Sequence, residues 1–250
     1  MPLDALRETR AFASETKFLV PVADGEAIRE WARRHLTADP HGGGDSHDEY
    51  DTTTLYYDSP EFHVFHRRGS FGRSKYRVRR YGGRAHVFLE RKLRRPGMLS
   101  KRRTLVPLEA LSRLDAPMTG WEGTWFQRRL VLRQLRPVCE IGYHRLARMG
   151  TGAYGPIRLT LDDRLVVSSA ARSAFGDGRE RLSFLQGQLV LELKYRVAVP
   201  PLFKQLVEAF ALRPAPVSKY RFGVAVLGSP DVASLLPLPV HDPGAGPLDA

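Results

Sequence analysis

Stretch after stretch of this chain alternates charged and apolar residues, and that period of two constrains the fold more than any other feature. Over 74–81, Lys75, Arg77 and Arg79 fall on one side of an extended chain, Tyr76 and Val78 on the other. Over 85–93, Phe88, Glu90 and Lys92 oppose Val87, Leu89 and Arg91. Over 157–162, Arg158, Thr160 and Asp162 oppose Ile157, Leu159 and Leu161. Over 189–195, Glu192 and Lys194 oppose Leu191, Leu193 and Tyr195, and near the start Glu15 and Lys17 oppose Thr16 and Phe18. Each segment has an apolar side to bury. The charged sides are therefore either all wet, as on a half-exposed sheet, or all turned into a common lumen.

The sign of the charges argues for the lumen. Between Arg67 and Arg103 the chain carries fifteen basic residues and a single acid, Glu90. Such a surface repels itself unless an anion sits among the charges. Lysines and arginines lining a low-dielectric barrel form a site for several phosphates, each accepting charge-assisted hydrogen bonds. The whole chain agrees, with 39 Lys and Arg against 27 Asp and Glu and a net charge of +12. That excess predicts an anionic partner, with nucleic acid, acidic membrane and polyphosphate or nucleotide all open. The acids on the same faces, Glu15, Glu90, Asp162 and Glu192, suit Mg²⁺ or Mn²⁺ shared with phosphate oxygens, or equally an ion pair with a neighbouring cation.

Strands are expected at 16–22, 53–57, 101–106, 137–147, 157–167 and 188–195, and 62–68 reads as a short helix or a hairpin arm. Helical spacing marks 24–36, with Asp24 as its cap, and also 107–114, 124–135 and a segment opened by Pro200 and Pro201. The segment 37–50, with His41, Asp45, His47 and Asp48, reads as a flexible loop rather than a metal site. Residues 218–227 follow a Pro-rich turn, and the mix of Pro, Gly and Leu from 228 reads as a loosely ordered tail. Eight or so strands with no dividing linker predict one α+β domain, mainly antiparallel β: an eight-stranded closed β-tunnel with flanking helices. Its bounds are set at 15–227, between an extension at 1–14 and the tail at 228–250.

Several function classes drop out. The single cysteine, Cys139, excludes an intramolecular disulfide and a Cys-based zinc site. Helix-turn-helix spacing, zinc ligands and an RNP-type strand are all missing, so nucleic acid is not expected as the partner. No run approaches the roughly 18–20 apolar residues of a membrane span, and 1–14 carries no apolar signal core, so a soluble cytoplasmic protein is expected. There is no Ser-His-Asp or Cys-His arrangement for covalent catalysis.

A set of short motifs then bears a family likeness. Glu15-Thr16-Lys17-Phe18 resembles the opening acid-x-Lys strand of triphosphate tunnel enzymes. Thr54-Leu55-Tyr56-Tyr57-Asp58-Ser59 and Arg77-Val78-Arg79-Arg80-Tyr81-Gly82 are similar to two stretches of the VTC polyphosphate polymerase domain. Phe88-Leu89-Glu90-Arg91-Lys92 with Lys101-Arg102-Arg103 resembles its Glu-x-Lys strand and the basic strand after it. Tyr143-His144-Arg145-Leu146-Ala147, Arg158-Leu159-Thr160-Leu161-Asp162, Leu191-Glu192-Leu193-Lys194-Tyr195 and Ser218-Lys219-Tyr220 complete the set, in family order over about 15–227.

The resemblance to the VTC family of the triphosphate tunnel (CYTH-like) superfamily implies a metal-dependent polyphosphate polymerase. It would pass the γ-phosphoryl of ATP to a growing polyphosphate chain. A tripolyphosphatase or nucleotide triphosphatase, and a non-catalytic polyphosphate-binding module, are the alternatives. Residue by residue it implies Arg77, Arg79, Lys92 and Lys219 as catalytic cations and Lys17, Lys101, Arg145 and Arg158 as substrate contacts, with Arg103 and Lys194 as adjacent candidates. Glu192 stands at the metal position, for Mn²⁺ or Mg²⁺, and Glu90 and Glu15 are further metal candidates. Strand parity places Arg145 on the face of Ile141 and Tyr143, so a bulge or a different role is expected there. Only one acid, Glu15, stands in the N-terminal motif, which favours the VTC branch over the thiamine-triphosphatase-like one. Any membrane channel for the product would be a separate protein.

Overall fold

The computed structural model describes residues 14–40, 48–69, 71–95, 98–176 and 179–228. The expected extension and tail, and His41, Asp45 and His47, fall almost wholly or entirely outside them. Antiparallel strands dominate. In chain order they are β1 (Ser14–Pro21), β2 (Thr37–Ala38), β3 (Glu49–Asp58), β4 (Ser74–Tyr81), β5 (His86–Arg95), β6 (Met98–Pro107), β7 (Arg136–Gly152), β8 (Gly155–Ser169), β9 (Leu182–Ser183) and β10 (Gln188–Tyr195). Helices α1 (Gly25–His35), α2 (His63–His66), α3 (Thr124–Leu132), α4 (Pro201–Ala209) and α5 (Lys219–Val226) flank them, with a 3₁₀ segment at Leu108–Leu114.

Eight strands run in the order β1-β10-β8-β7-β3-β4-β5-β6, with β2 and β9 as short additions to β7 and β8. Among the described residues backbone hydrogen bonds do not close this sheet: β1 and β6 are its two ends. The free edge of β1 is taken by the chain entering α5, through a bridge between Phe18 and Pro214 and a bond from Ala215 N–H to the Lys17 carbonyl at 2.8 Å. Side chains span the seam instead, with Lys92 of β5 donating to Glu15 of β1 at 3.2 Å.

Alternation decides which face each helix covers. The apolar sides of β1, β8 and β10 (Phe18, Leu159, Leu161, Leu191, Leu193) pack under α1 and α4 with Ile28, Ala32, Phe203 and Leu206. The apolar sides of β3–β6 (Leu55, Tyr76, Val78, Val87, Leu89, Val106) pack under α3 with Phe126 and Leu130. Both layers lie on the convex side, which leaves the charged sides facing inward. Asp24 holds the N-cap position of α1, but its side chain makes no capping bond.

A third apolar cluster lies on the concave side itself. Tyr56, Ile141, Tyr143, Val167 and Val190 face inward and are covered by Val217, Tyr220 and Val224. Helix α5 approaches this wall closely because Gly223 has no side chain: a Cβ there would meet Ile141 Cδ1 at 2.9 Å and Val167 Cγ2 at 3.1 Å. Asp58 ties the parts together, accepting from Val64 and Phe65 N–H, both at 2.9 Å, and from the Tyr220 hydroxyl at 2.6 Å. β7 carries a register shift against β3 at Val138, but none between Ile141 and Arg145, so the inward parity of Arg145 with Ile141 and Tyr143 is explained otherwise: one end of the lumen is apolar, and α5 fills it. A bulge lies on β8, where register shifts opposite Gly142/His144 and Arg164 has φ +49°. It turns Leu165 and Val167 inward after Asp162.

Candidate functional site

Strand register assembles the inward charges into rows. Across β4, β5 and β6, Lys75 lies opposite Lys92 and Lys92 opposite Lys101. The next row is Arg77, Glu90 and Arg103, and Arg79 then opposes Phe88. On the facing wall, Lys17 opposes Glu192, Glu15 opposes Lys194, Lys194 opposes Arg158, and Arg145 opposes Asp162. Lys219, the first residue of α5, enters between the walls and donates to Asp162 at 2.6 Å. Every site residue expected from sequence therefore lies on this one concave surface.

Each carboxylate on it is boxed by cations. Glu90, 1% exposed, accepts from Arg77 Nε at 2.7 Å and faces Arg103 at 3.4 Å and Lys101 at 3.5 Å. Burial pushes its pKa up, but Arg77, Arg79, Lys101 and Arg103 win and hold it well below the usual range. Asp162 is fully buried and accepts from Arg145 Nε at 2.5 Å and Nη2 at 2.7 Å, a two-pronged pairing. Against the burial, Arg145 and Lys219 bring its pKa down to about 2. Glu192 faces Lys194 at 3.6 Å and Lys17 at 3.7 Å, and these overcome burial to hold it well below the usual range. Glu15 touches Lys17 at 3.0 Å and Lys92 at 3.2 Å. Lys194 shows the opposite balance: burial outweighs its two glutamates and lowers it to about 8.

The neutralisation is incomplete. The described residues set eleven inward cations against five carboxylates, four on the strands and Asp39 beside Arg158. Arg79 has no ion pair among the described residues. It donates to Thr54 Oγ1 at 3.2 Å and lies 6.0 Å from the Tyr81 ring centroid. The lysine heads stay within reach of a ligand: the side chains of Lys17, Lys92 and Lys101 are 27%, 34% and 32% exposed, whereas Arg145 and Glu90 are nearly sealed. Sealed ion pairs thus fix the wall, and exposed lysines are presented to whatever enters. A multivalent anion is the ligand such a surface stabilises.

Several members of the site were missed by motif matching. Lys75 shares the face of Arg77 and Arg79 but carried no assigned role, although alternation alone places it inside. Asp39 pairs with Arg158, which also donates to the Tyr50 hydroxyl at 3.2 Å. Both come from chain segments with no lumen signature of their own. Asp48, at the edge of the expected loop, is buried and accepts from Arg148 at 3.0 Å and Arg33 at 3.2 Å, so its charge serves packing.

A divalent cation can be tested against the residues present. Among the described residues no three His, Cys, Asp or Glu side chains converge to hold one. Glu192 and Glu15, however, share Lys17, and the buried Thr160 hydroxyl in register with Glu192 has no hydrogen-bond partner there. One or two carboxylates with ligand phosphates making up the rest is the usual setting for Mg²⁺, and these oxygens fit it. Glu90 lies on the other wall, and its oxygens face three cations, as those of Glu15 do.

Among curated proteins no sequence matches this chain. Among solved structures it is similar to a candidate adenylate cyclase from Bacillus halodurans, at 14% identity and TM-score 0.47, covering 82% of this chain and 93% of that one. It is also similar to a candidate adenylyl cyclase from Hippeastrum described with a dominant triphosphatase activity, at 14% identity and TM-score 0.45, covering 82% and 92%. A third is PH1819 from Pyrococcus horikoshii, at 11% identity and TM-score 0.43, covering 83% and 97%. The model of the VTC domain matches residues 12–228, nearly the whole chain, so this protein belongs to the VTC domain family.

Proposed function

We propose that this protein is a metal-dependent polyphosphate polymerase, transferring the γ-phosphoryl of ATP to the end of a polyphosphate chain held in the lumen. What supports this is a VTC-family sheet whose inward cations outnumber its inward carboxylates and whose lysine heads remain reachable. Phosphoryl transfer needs in-line positioning and charge stabilisation rather than a nucleophilic side chain. Arg77 and Arg79 project from one wall, and Arg145, Arg158 and Lys219 from the facing side, so two phosphates can be gripped from opposite directions. Asp162 and Glu90 hold Arg145, Lys219 and Arg77 in place by bonds of 2.5–2.7 Å. Lys17, Lys92, Lys101 and Lys194 offer point charges along the path of the chain, and Arg103 backs Glu90. Glu192 with Glu15 would hold the Mn²⁺ or Mg²⁺, whose chemistry is to neutralise charge on the transferring group.

Purified protein given ATP and Mn²⁺ should release ADP and build a phosphate ladder on a gel. Orthophosphate release without a ladder would replace the polymerase with a triphosphatase. Binding of tripolyphosphate with no turnover would leave a binding module, and neither binding nor turnover would refute the proposal.

A further inference from the structure

The lysine row on β4–β6 contains one cation that the arrangement above leaves without a task. Lysines placed directly opposite each other on neighbouring strands destabilise the pairing, since the strands are only about 4.8 Å apart. Two of the three have carboxylate neighbours: Lys92 reaches Glu15 at 3.2 Å and Lys101 reaches Glu90 at 3.5 Å. Lys75 has none among the described residues. Its ammonium donates to the Ser218 hydroxyl at 3.3 Å, and Ser218 is the N-cap of α5.

The charged groups that act most strongly on Lys75 are all positive. Lys17 faces it from β1, Lys92 from β5, Arg77 from its own strand and Arg67 from the end of α2. From α5 come only the Ser218 hydroxyl and the positive end of an eight-residue helix, with Lys219 next in the chain. Glu15, which could have served it, is engaged by Lys17 and Lys92. No ion pair among the described residues holds Lys75 in this position; its bond is to the neutral Ser218 hydroxyl.

We propose that Lys75, with the Ser218 hydroxyl, is a further phosphate-binding group that takes one phosphoryl unit of a condensed phosphate at the α5 end of the lysine row. It rests on the reading that the lumen holds condensed phosphate, and it adds a contact on the wall of Arg77 and Arg79. Burial and the surrounding cations lower the Lys75 pKa to about 7, so most of the population is uncharged at pH 8 when no anion is present. A bound phosphate supplies the missing counter-charge and raises that pKa. Binding above pH 7 is then coupled to uptake of a proton by Lys75.

The test is calorimetric titration of the full chain with inorganic tripolyphosphate at pH 8, in two buffers of different ionisation enthalpy. The number read is the difference in protons taken up between wild type and variant, which cancels protons belonging to the ligand and to Lys194. Lys75→Gln should bind roughly tenfold to a hundredfold more weakly and take up fewer protons. Lys75→Arg, permanently charged, should keep most of the affinity and also take up fewer protons. A merely structural lysine would not produce that split. Unchanged proton uptake in Lys75→Arg overturns the inference, and this variant decides the matter if Lys75→Gln does not fold. Lys75→Gln binding like wild type also overturns it, while leaving the lumen as the phosphate site. Failure of the wild type to bind tripolyphosphate would instead sink the reading of the lumen.

Discussion

Replacing Asp162 with asparagine removes the charge at the junction of β7, β8 and α5. The carboxylate is fully buried and takes hydrogen bonds from Arg145 and Lys219 at 2.5, 2.7 and 2.6 Å. Its pKa falls from 3.8 to about 2, a displacement that corresponds to about 2–3 kcal/mol of stability at neutral pH. Because the folded value is the depressed one, this contribution is complete above the unfolded pKa and is lost as pH falls from about 4 towards 2. Asparagine also strands two cations without a counter-charge, and breaking a buried pair in this way costs about 3–5 kcal/mol. At about 2–4 °C per kcal/mol for a chain of this size, Asp162→Asn should melt roughly 6–20 °C below wild type at pH 7. Scanning calorimetry or thermal circular dichroism reads the shift. Saturating tripolyphosphate should narrow the gap, since the anion replaces the lost charge beside Arg145 and Lys219. Equal melting temperatures without ligand, or a gap that tripolyphosphate leaves untouched, would refute the reasoning.

Other residues separate stability from binding. Arg79→Ala deletes a buried cation with no described ion pair, so tripolyphosphate affinity should fall roughly tenfold to a hundredfold while the ligand-free melting temperature holds or rises. A clear drop in that melting temperature would count against Arg79 as a ligand-directed charge. Tyr220→Phe loses the 2.6 Å bond to Asp58 and should cost about 1.5–3 kcal/mol in urea unfolding, because a buried carboxylate loses one of its donors. No change would mean that α5 is not anchored there. Cys139 is fully buried and burial pushes its thiol pKa up, so a thiol reagent should label it only after denaturant is added. Rapid labelling of the native protein would contradict the packing of α5.

Much of the inner surface was legible because a strand's period of two is a local property. The faces of Lys75, Arg77, Arg79, Glu90, Lys92, Arg158, Glu192 and Lys194 all follow from counting alternate residues. The strand Gln188–Tyr195 has the bounds expected of it. What depended on distant pairing was not legible. Nothing local to β1 shows that its free edge will be occupied by Pro214–Ala215, so closure by backbone bonds was expected where side chains span the seam. Arg145 looked misplaced because an apolar neighbour usually means a face turned away from a polar lumen. Here Ile141 and Tyr143 face inward because α5 covers them, which parity alone cannot reveal. Strand parity put Glu90 among the inward acids suited to metal or to an ion pair, but only register shows which cations meet it: Arg77 from β4 and Arg103 and Lys101 from β6. Reliance on motifs left Lys75 without a role, although its position on the inner face was clear.

The central claim is that the concave face is a phosphate site. A crystal structure of the protein grown with tripolyphosphate tests it most directly. The account predicts phosphate density inside the sheet, within hydrogen-bonding distance of Arg77, Arg79 and Lys219 together. Phosphate found only on the convex surface, with those three side chains untouched by the ligand, would contradict it.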